Sequence, residues 1–184
     1  ERFHVSHVFI KFESIGDVRP SEASIDDIVL KVNNKNNILE GEASTFDDIA
    51  WNRGLSPHWS IFSDATSFMT AYGTLRPYGK VSAFADIYGD REGIWIKLEV
   101  SGPIEKLDLA FKLRYGRGSE NLRRFYIAQV GIGGEFDDYK SFQVLCQAIV
   151  AATSIEEPGD TNWNVYNALW VSPEDSSVMA NDPN

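Results

Sequence analysis

Ile94-Trp95-Ile96-Lys97-Leu98-Glu99-Val100 and, a short turn later, Leu107-Asp108-Leu109-Ala110-Phe111-Lys112-Leu113-Arg114-Tyr115 are the stretches whose reading decides the fold. In the first, Ile94, Ile96, Leu98 and Val100 hold one parity and Trp95, Lys97 and Glu99 the other. In the second, Leu107, Leu109, Phe111, Leu113 and Tyr115 oppose Asp108, Ala110, Lys112 and Arg114. Successive side chains of a strand point to opposite faces, so one apolar parity marks a half-buried strand. The two apolar sets are expected to share one core face.

Working outward, residues 81–88 and 123–130 alternate in the same way, and 78–134 reads as an antiparallel meander of four strands. A hairpin loop at Asp90-Arg91-Glu92-Gly93 places Tyr88 opposite Trp95 and Asp86 opposite Lys97. Continuing across Ser101-Gly102-Pro103 pairs Val100 with Leu107, Leu98 with Leu109 and Ile96 with Phe111, and sets Trp95 beside Lys112. The same register puts Glu99 against Asp108, a like-charge pair that counts against it.

A chain of 184 residues is expected to form one domain, with residues 1–171 as its body and 172–184 as a polar tail. That length suffices to bury about 70% of the unfolded surface. Aromatic residues make up 12% of the chain, a high share that has to be packed or used. The single Cys146 excludes an internal disulfide, so the core must hold the fold. No N-x-Ser/Thr sequon occurs, and no apolar run approaches the ~18 residues that a membrane span needs. A start at Glu1 instead of Met is expected of a processed product, and an extracellular or virion setting is favoured. Net charge is −10, which argues against a protein that holds nucleic acid by its phosphates. Lys106, Lys112, Arg114, Arg117, Arg123 and Arg124 nevertheless predict a local basic patch on an acidic body.

Residues 3–12 read as a strand without clean parity. His4 and His7 fall on opposite faces of it, which disfavours a metal site. Residues 25–32 resume strand character, with Ile28, Leu30 and Val32 on one face. Asn33-Asn34-Lys35-Asn36-Asn37 is a turn, since Asn tolerates left-handed backbone, and Ile38 and Leu39 are expected to start a return strand. Asp26-Asp27, Asp47-Asp48, Asp137-Asp138 and Glu156-Glu157 lack the spaced pattern of a calcium loop and read as turns and caps. Trp51 and Trp59, nine residues apart inclusive with Gly54 and Pro57 between them, suit either a ligand cleft or an anchored loop, and anchoring is favoured. Residues 63–72 fit a short helix capped by Ser63 or Asp64 and ended by Gly73, or the extension of a strand. Gly131-Ile132-Gly133-Gly134 has the wrong spacing and context for a dinucleotide loop. Residues 141–153 fit a strand (Phe142, Val144, Cys146, Ala148, Val150) or a helical stripe capped by Asp138, with the strand preferred. Pro158-Gly159-Asp160 reads as a turn. Residues 162–171 read as a final strand, with either Trp163, Val165, Leu169 and Val171 or Tyr166 and Trp170 inward.

The predicted fold is an all-β, two-layer antiparallel sandwich of the jelly-roll kind with one or two short helices; an α+β arrangement is second. No nucleophile motif is present. Paired carboxylates among Asp86, Glu99 and Asp108 would be the basis of a small glycoside hydrolase, a weak signal in a chain with 27 acidic residues. The reading preferred is a non-catalytic module, without cofactor or metal, that binds a glycan or a protein through Trp51, Trp59, Phe84, Tyr88, Trp95, Lys97, Lys112 and Arg114. A covered face, buried by another element, is the plain alternative for Phe84, Tyr88 and Trp95. A viral structural protein, either a jelly-roll coat subunit or a surface projection, is the second reading, and self-association through apolar patches separates the two.

Overall fold

In β1 (His7–Ile15), Val8, Ile10 and Phe12 alternate with His7, Phe9, Lys11 and Glu13, and the first three are buried in the main core. The same rule of two organises the remaining strands, taken from a computed structural model that describes residues 7–15, 22–45, 58–63, 74–76, 84–88, 91–115, 125–151 and 163–173. They are β2 (Glu22–Val32), β3 (Ser60–Ser63), β4 (Thr74–Arg76), β5 (Phe84–Tyr88), β6 (Glu92–Glu99), β7 (Lys106–Tyr115), β8 (Phe125–Gly133), β9 (Gln143–Ala151) and β10 (Asn164–Val171). Two five-stranded antiparallel sheets result, ordered β3-β6-β1-β8-β9 and β10-β7-β2-β5-β4. They pack face to face as an all-β sandwich.

The meander does not form. β6 lies in the first sheet while β5 and β7 lie in the second, so Tyr88 pairs with Glu22 rather than Trp95, and Lys97 pairs with Phe9 rather than Asp86. Ile94 and Ile96 meet Leu107, Leu109 and Phe111 across the sandwich interior, in one core but from opposite layers. Alternation reports that two strands have an apolar face; it does not report whether those faces lie side by side or opposed. The Glu99 and Asp108 clash that the meander required is removed by this separation.

Phe12 of the first sheet meets Phe111 of the second edge-on at 5.1 Å, and Trp59 closes against Phe12 at 5.8 Å. Trp59 anchors a helical turn, α1 (Glu42–Thr45), by donating its indole N–H to Ala43 O at 2.8 Å. Ser44 donates to Ile28 O at 2.6 Å from the same turn. Ile38 and Leu39 therefore lead into this turn instead of a return strand, and only an isolated bridge joins Lys31 to Asn37. Asn33 and Asn34 take positive φ of 55° and 62°, as the Asn-rich reversal requires. The helix or strand extension expected over 63–72 lies outside the described residues, except Ser63 at the end of β3, as do Asp47, Asp48, Glu156, Glu157 and the 158–160 turn.

Residues 143–151 are a strand, as preferred, but a bulge opposite Val130 and Gly131 breaks its parity. Val144 faces solvent while Ala148 and Val150 pack inward, and Cys146 is half-buried, its thiol pushed up by desolvation. In β10, Tyr166, Ala168 and Trp170 take the core side and Val165, Leu169 and Val171 the outside.

Candidate functional site

The outer face of the first sheet carries a second aromatic layer. Phe9, from the centre of β1, has Lys97 of β6 on one side and Gly131 of β8 on the other. Gly131 and Gly133 leave the sheet floor bare there: a Cβ on Gly133 would lie 2.8 Å from the Phe9 ring, and one on Gly131 1.9 Å from Gln143 O. Phe9 and Phe142 fill that space, stacked at 5.0 Å and 7°, and Trp95 extends the stack at 6.3 Å and 11°. Tyr139 lies 4.5 Å from Phe62 and 5.8 Å from Trp95. Lys11 reaches over both Phe62 and Tyr139, at 5.0 and 5.4 Å from the ring centroids, and pairs with Glu13 at 3.6 Å.

The cover is the turn linking β8 to β9. Asp137 Oδ2 accepts from Gly134 N at 2.7 Å, and Asp138 Oδ1 accepts from Lys140 N at 2.8 Å and Ser141 N at 3.1 Å. These backbone donors hold both carboxyls below the usual carboxylate range, the Gly134 N–H foremost for Asp137 and the Lys140 N–H for Asp138. Lys97 ties the turn to the sheet, donating to Glu135 O at 2.7 Å and Asp137 O at 3.4 Å. At the tip Phe136 is left 96% exposed, whereas Phe9, Phe62 and Phe142 are buried.

The residues expected to form one aromatic and basic face are divided. Trp95 and Lys97 stand on the outer face of the first sheet. Lys112 stands on the second, where it pairs with Asp27 at 2.8 Å beside a β2 bulge in which Asp27 has φ of 48°. That carboxylate raises the Lys112 pKa, chiefly by its hydrogen bond. Phe84, Tyr88 and Arg114 belong to β5 and β7 of the second sheet, and their side chains lie outside the described residues. Trp59 is buried and faces the main core, and Trp51 lies outside the described residues. Of the basic patch, Lys106 binds Asn34 at 2.8 Å and Lys112 binds Asp27, while Arg117, Arg123 and Arg124 lie outside the described residues.

Phe9, Phe62, Phe136, Tyr139 and Phe142 were not anticipated. The signal for Phe9 was an aromatic at the polar parity of β1, matched by Trp95 at the polar parity of β6 and two glycines at the outward parity of β8. Glu99 stands on the first sheet and Asp86 and Asp108 on the second, so the carboxylates considered for hydrolysis are split between layers. Among the described residues no three His, Cys, Asp or Glu side chains gather as a metal site, and no helix is long and apolar enough to cross a membrane. No family model matches the chain, and comparison with curated proteins and with solved structures finds no match either.

Proposed function

We propose that this chain is a non-catalytic recognition domain that binds a protein partner through the β8–β9 turn, with Phe136 as the anchor. One observation carries the reading: a fully exposed phenylalanine stands on a turn that Asp137, Asp138 and Lys97 hold in place. An aromatic presented in this way gives up hydrated apolar surface on docking and loses little conformational freedom, the combination that makes interface hot spots. Glu135 and Asp138 are exposed beside it, so the complementary surface is an apolar pocket with a basic rim. A protein is favoured over a glycan because Trp95 already stacks on Phe9 and Tyr139 leans against it, leaving little open ring for a pyranose.

The test is a photo-crosslinking amino acid at position 136, with Phe136→Ala and Trp95→Ala controls and a glycan array in parallel. A discrete protein adduct, whose affinity falls at least tenfold in Phe136→Ala, is expected, with a blank array. Sugar binding that survives Phe136→Ala and is lost in Trp95→Ala would replace this reading with the glycan one. A structural-subunit reading draws on a different feature, the exposed apolar row of β10.

A further inference from the structure

β10 ends the second sheet: it pairs with β7 on one side, and among the described residues no strand lies on the other. Its backbone polarity follows from one hydrogen bond. Ser172 continues the β10–β7 register one step past Val171↔Lys106, and its N–H donates to Glu105 O at 2.7 Å. Hydrogen-bonded and non-bonded pairs alternate along an antiparallel ladder, so Asn164, Tyr166, Ala168 and Trp170 bond toward β7. Val165, Asn167, Leu169 and Val171 then turn their N–H and C=O groups to the open edge. The same four residues point their side chains to the outer face, where Val165, Leu169 and Val171 are 60%, 56% and 51% exposed.

Edge strands are ordinarily protected by Lys, Pro or inward charges, and β10 has none of these. Residues 141–155 and 161–173, which contain β9 and β10, are the two longest stretches of the chain without an Asp, Glu, Lys, Arg or His. β9 packs against β10, so one end of the sandwich is free of charge over two strands in a chain of net charge −10. Two copies of this acidic chain repel each other overall, and these two strands add nothing to that repulsion.

We infer that β10 is a self-association edge, at which a second copy of this chain adds its own β10 antiparallel and joins the two second sheets into one ten-stranded sheet. The strand is self-complementary. Centred on Ala168, the pairing sets Asn167 against Leu169 of the other copy and Val165 against Val171, all four in the edge-facing set, and closes with two-fold symmetry. Eight residues at about 3.4 Å each make a contact only about 27 Å long, which fits a reversible dimer rather than an obligate one. This inference is independent of the Phe136 reading, since it uses the other sheet.

Sedimentation equilibrium over a hundredfold concentration range, at low and high salt, tests it. The wild-type chain is expected to be a monomer–dimer mixture whose dimer fraction rises with salt, because screening removes the repulsion of like-charged bodies. Leu169→Lys and Asn167→Pro each restore the monomer. Proline at 167 deletes an N–H that faces the edge and spares the β7 ladder, and lysine at 169 replaces an exposed side chain, so both keep the wild-type circular dichroism. Hydrogen exchange gives a reading without mutation: amides of Val165, Asn167, Leu169 and Val171 gain protection with concentration, while those of Tyr166, Ala168 and Trp170 are protected throughout. A chain that stays monomeric at all concentrations and salts, or a dimer that survives both substitutions with the edge amides unprotected, would overturn the inference.

Discussion

Phe9→Ala tests whether the outer face of the first sheet is a second core. Phe9 is fully buried there, so the substitution loses about 1.5–3 kcal/mol of side-chain transfer. It also breaks two ring contacts, at 5.0 Å to Phe142 and 6.3 Å to Trp95, each contributing about 0.5–1.5 kcal/mol. The total, about 2.5–6 kcal/mol, is centred on the range of about 3–5 kcal/mol expected when a buried phenylalanine is cut to alanine. Phe136→Ala, the same truncation at a side chain left 96% exposed, should cost no more than about 0.5 kcal/mol. In urea unfolding followed by tryptophan fluorescence, with a slope of about 2 kcal/mol per molar, Phe9→Ala lowers the midpoint by about 2 M and Phe136→Ala leaves it in place. A shift below about 0.5 M for Phe9→Ala, or an equal shift for both, would refute the assignment of these rings to a buried layer and an exposed tip.

Asn37→Ala removes acceptors for Leu30 N at 2.8 Å and Leu39 N at 3.1 Å, and about 2–3 kcal/mol should be lost in denaturant titration. Gly131→Ala drives a methyl to 1.9 Å from Gln143 O, a backbone atom that no rotamer change can move; a loss of about 2 kcal/mol or more, with faster amide exchange in β9, is expected. The turn should also be acid-sensitive. Asp137 and Asp138 have folded-state pKa values below their unfolded ones, so their contribution is complete above about pH 4 and fades as pH falls through the lowered folded values. Asp137→Asn should flatten the acid limb of the turn's amide protection, and an unchanged limb would count against the Gly134 hydrogen bond as its source.

Strand character was legible wherever one parity was apolar over several residues, as in 94–100 and 107–115. The sheet each strand joins was not, because side-chain alternation is the same for neighbours in one sheet and for strands facing each other across a core. Trp59 could be read as an anchor from its Gly and Pro neighbours, while its partner Ala43 O could not, since a single helical turn leaves no periodic trace. The candidate site divides along the same line. Trp95 and Lys97 were legible as an outward pair on one strand; Lys112 was joined to them only through a register that does not exist. Phe9 was missed because it interrupts the polar parity of β1, and such an interruption takes on meaning only once Gly131 is known to lie beside it.

The interleaving of the two sheets bears on how the chain reaches this state. β1 sits between β6 and β8, residues 92–99 and 125–133, so it has both neighbours only after two much later strands are made. Its partners are far away in sequence, and topologies dominated by such distant pairings fold on the order of milliseconds to seconds instead of microseconds. Until residue 133 has left the ribosome, Val8, Ile10 and Phe12 have no complete sheet to enter. A chain that ends before residue 125 therefore leaves one edge of β1 without its β8 partner, an exposure that a local meander would not have.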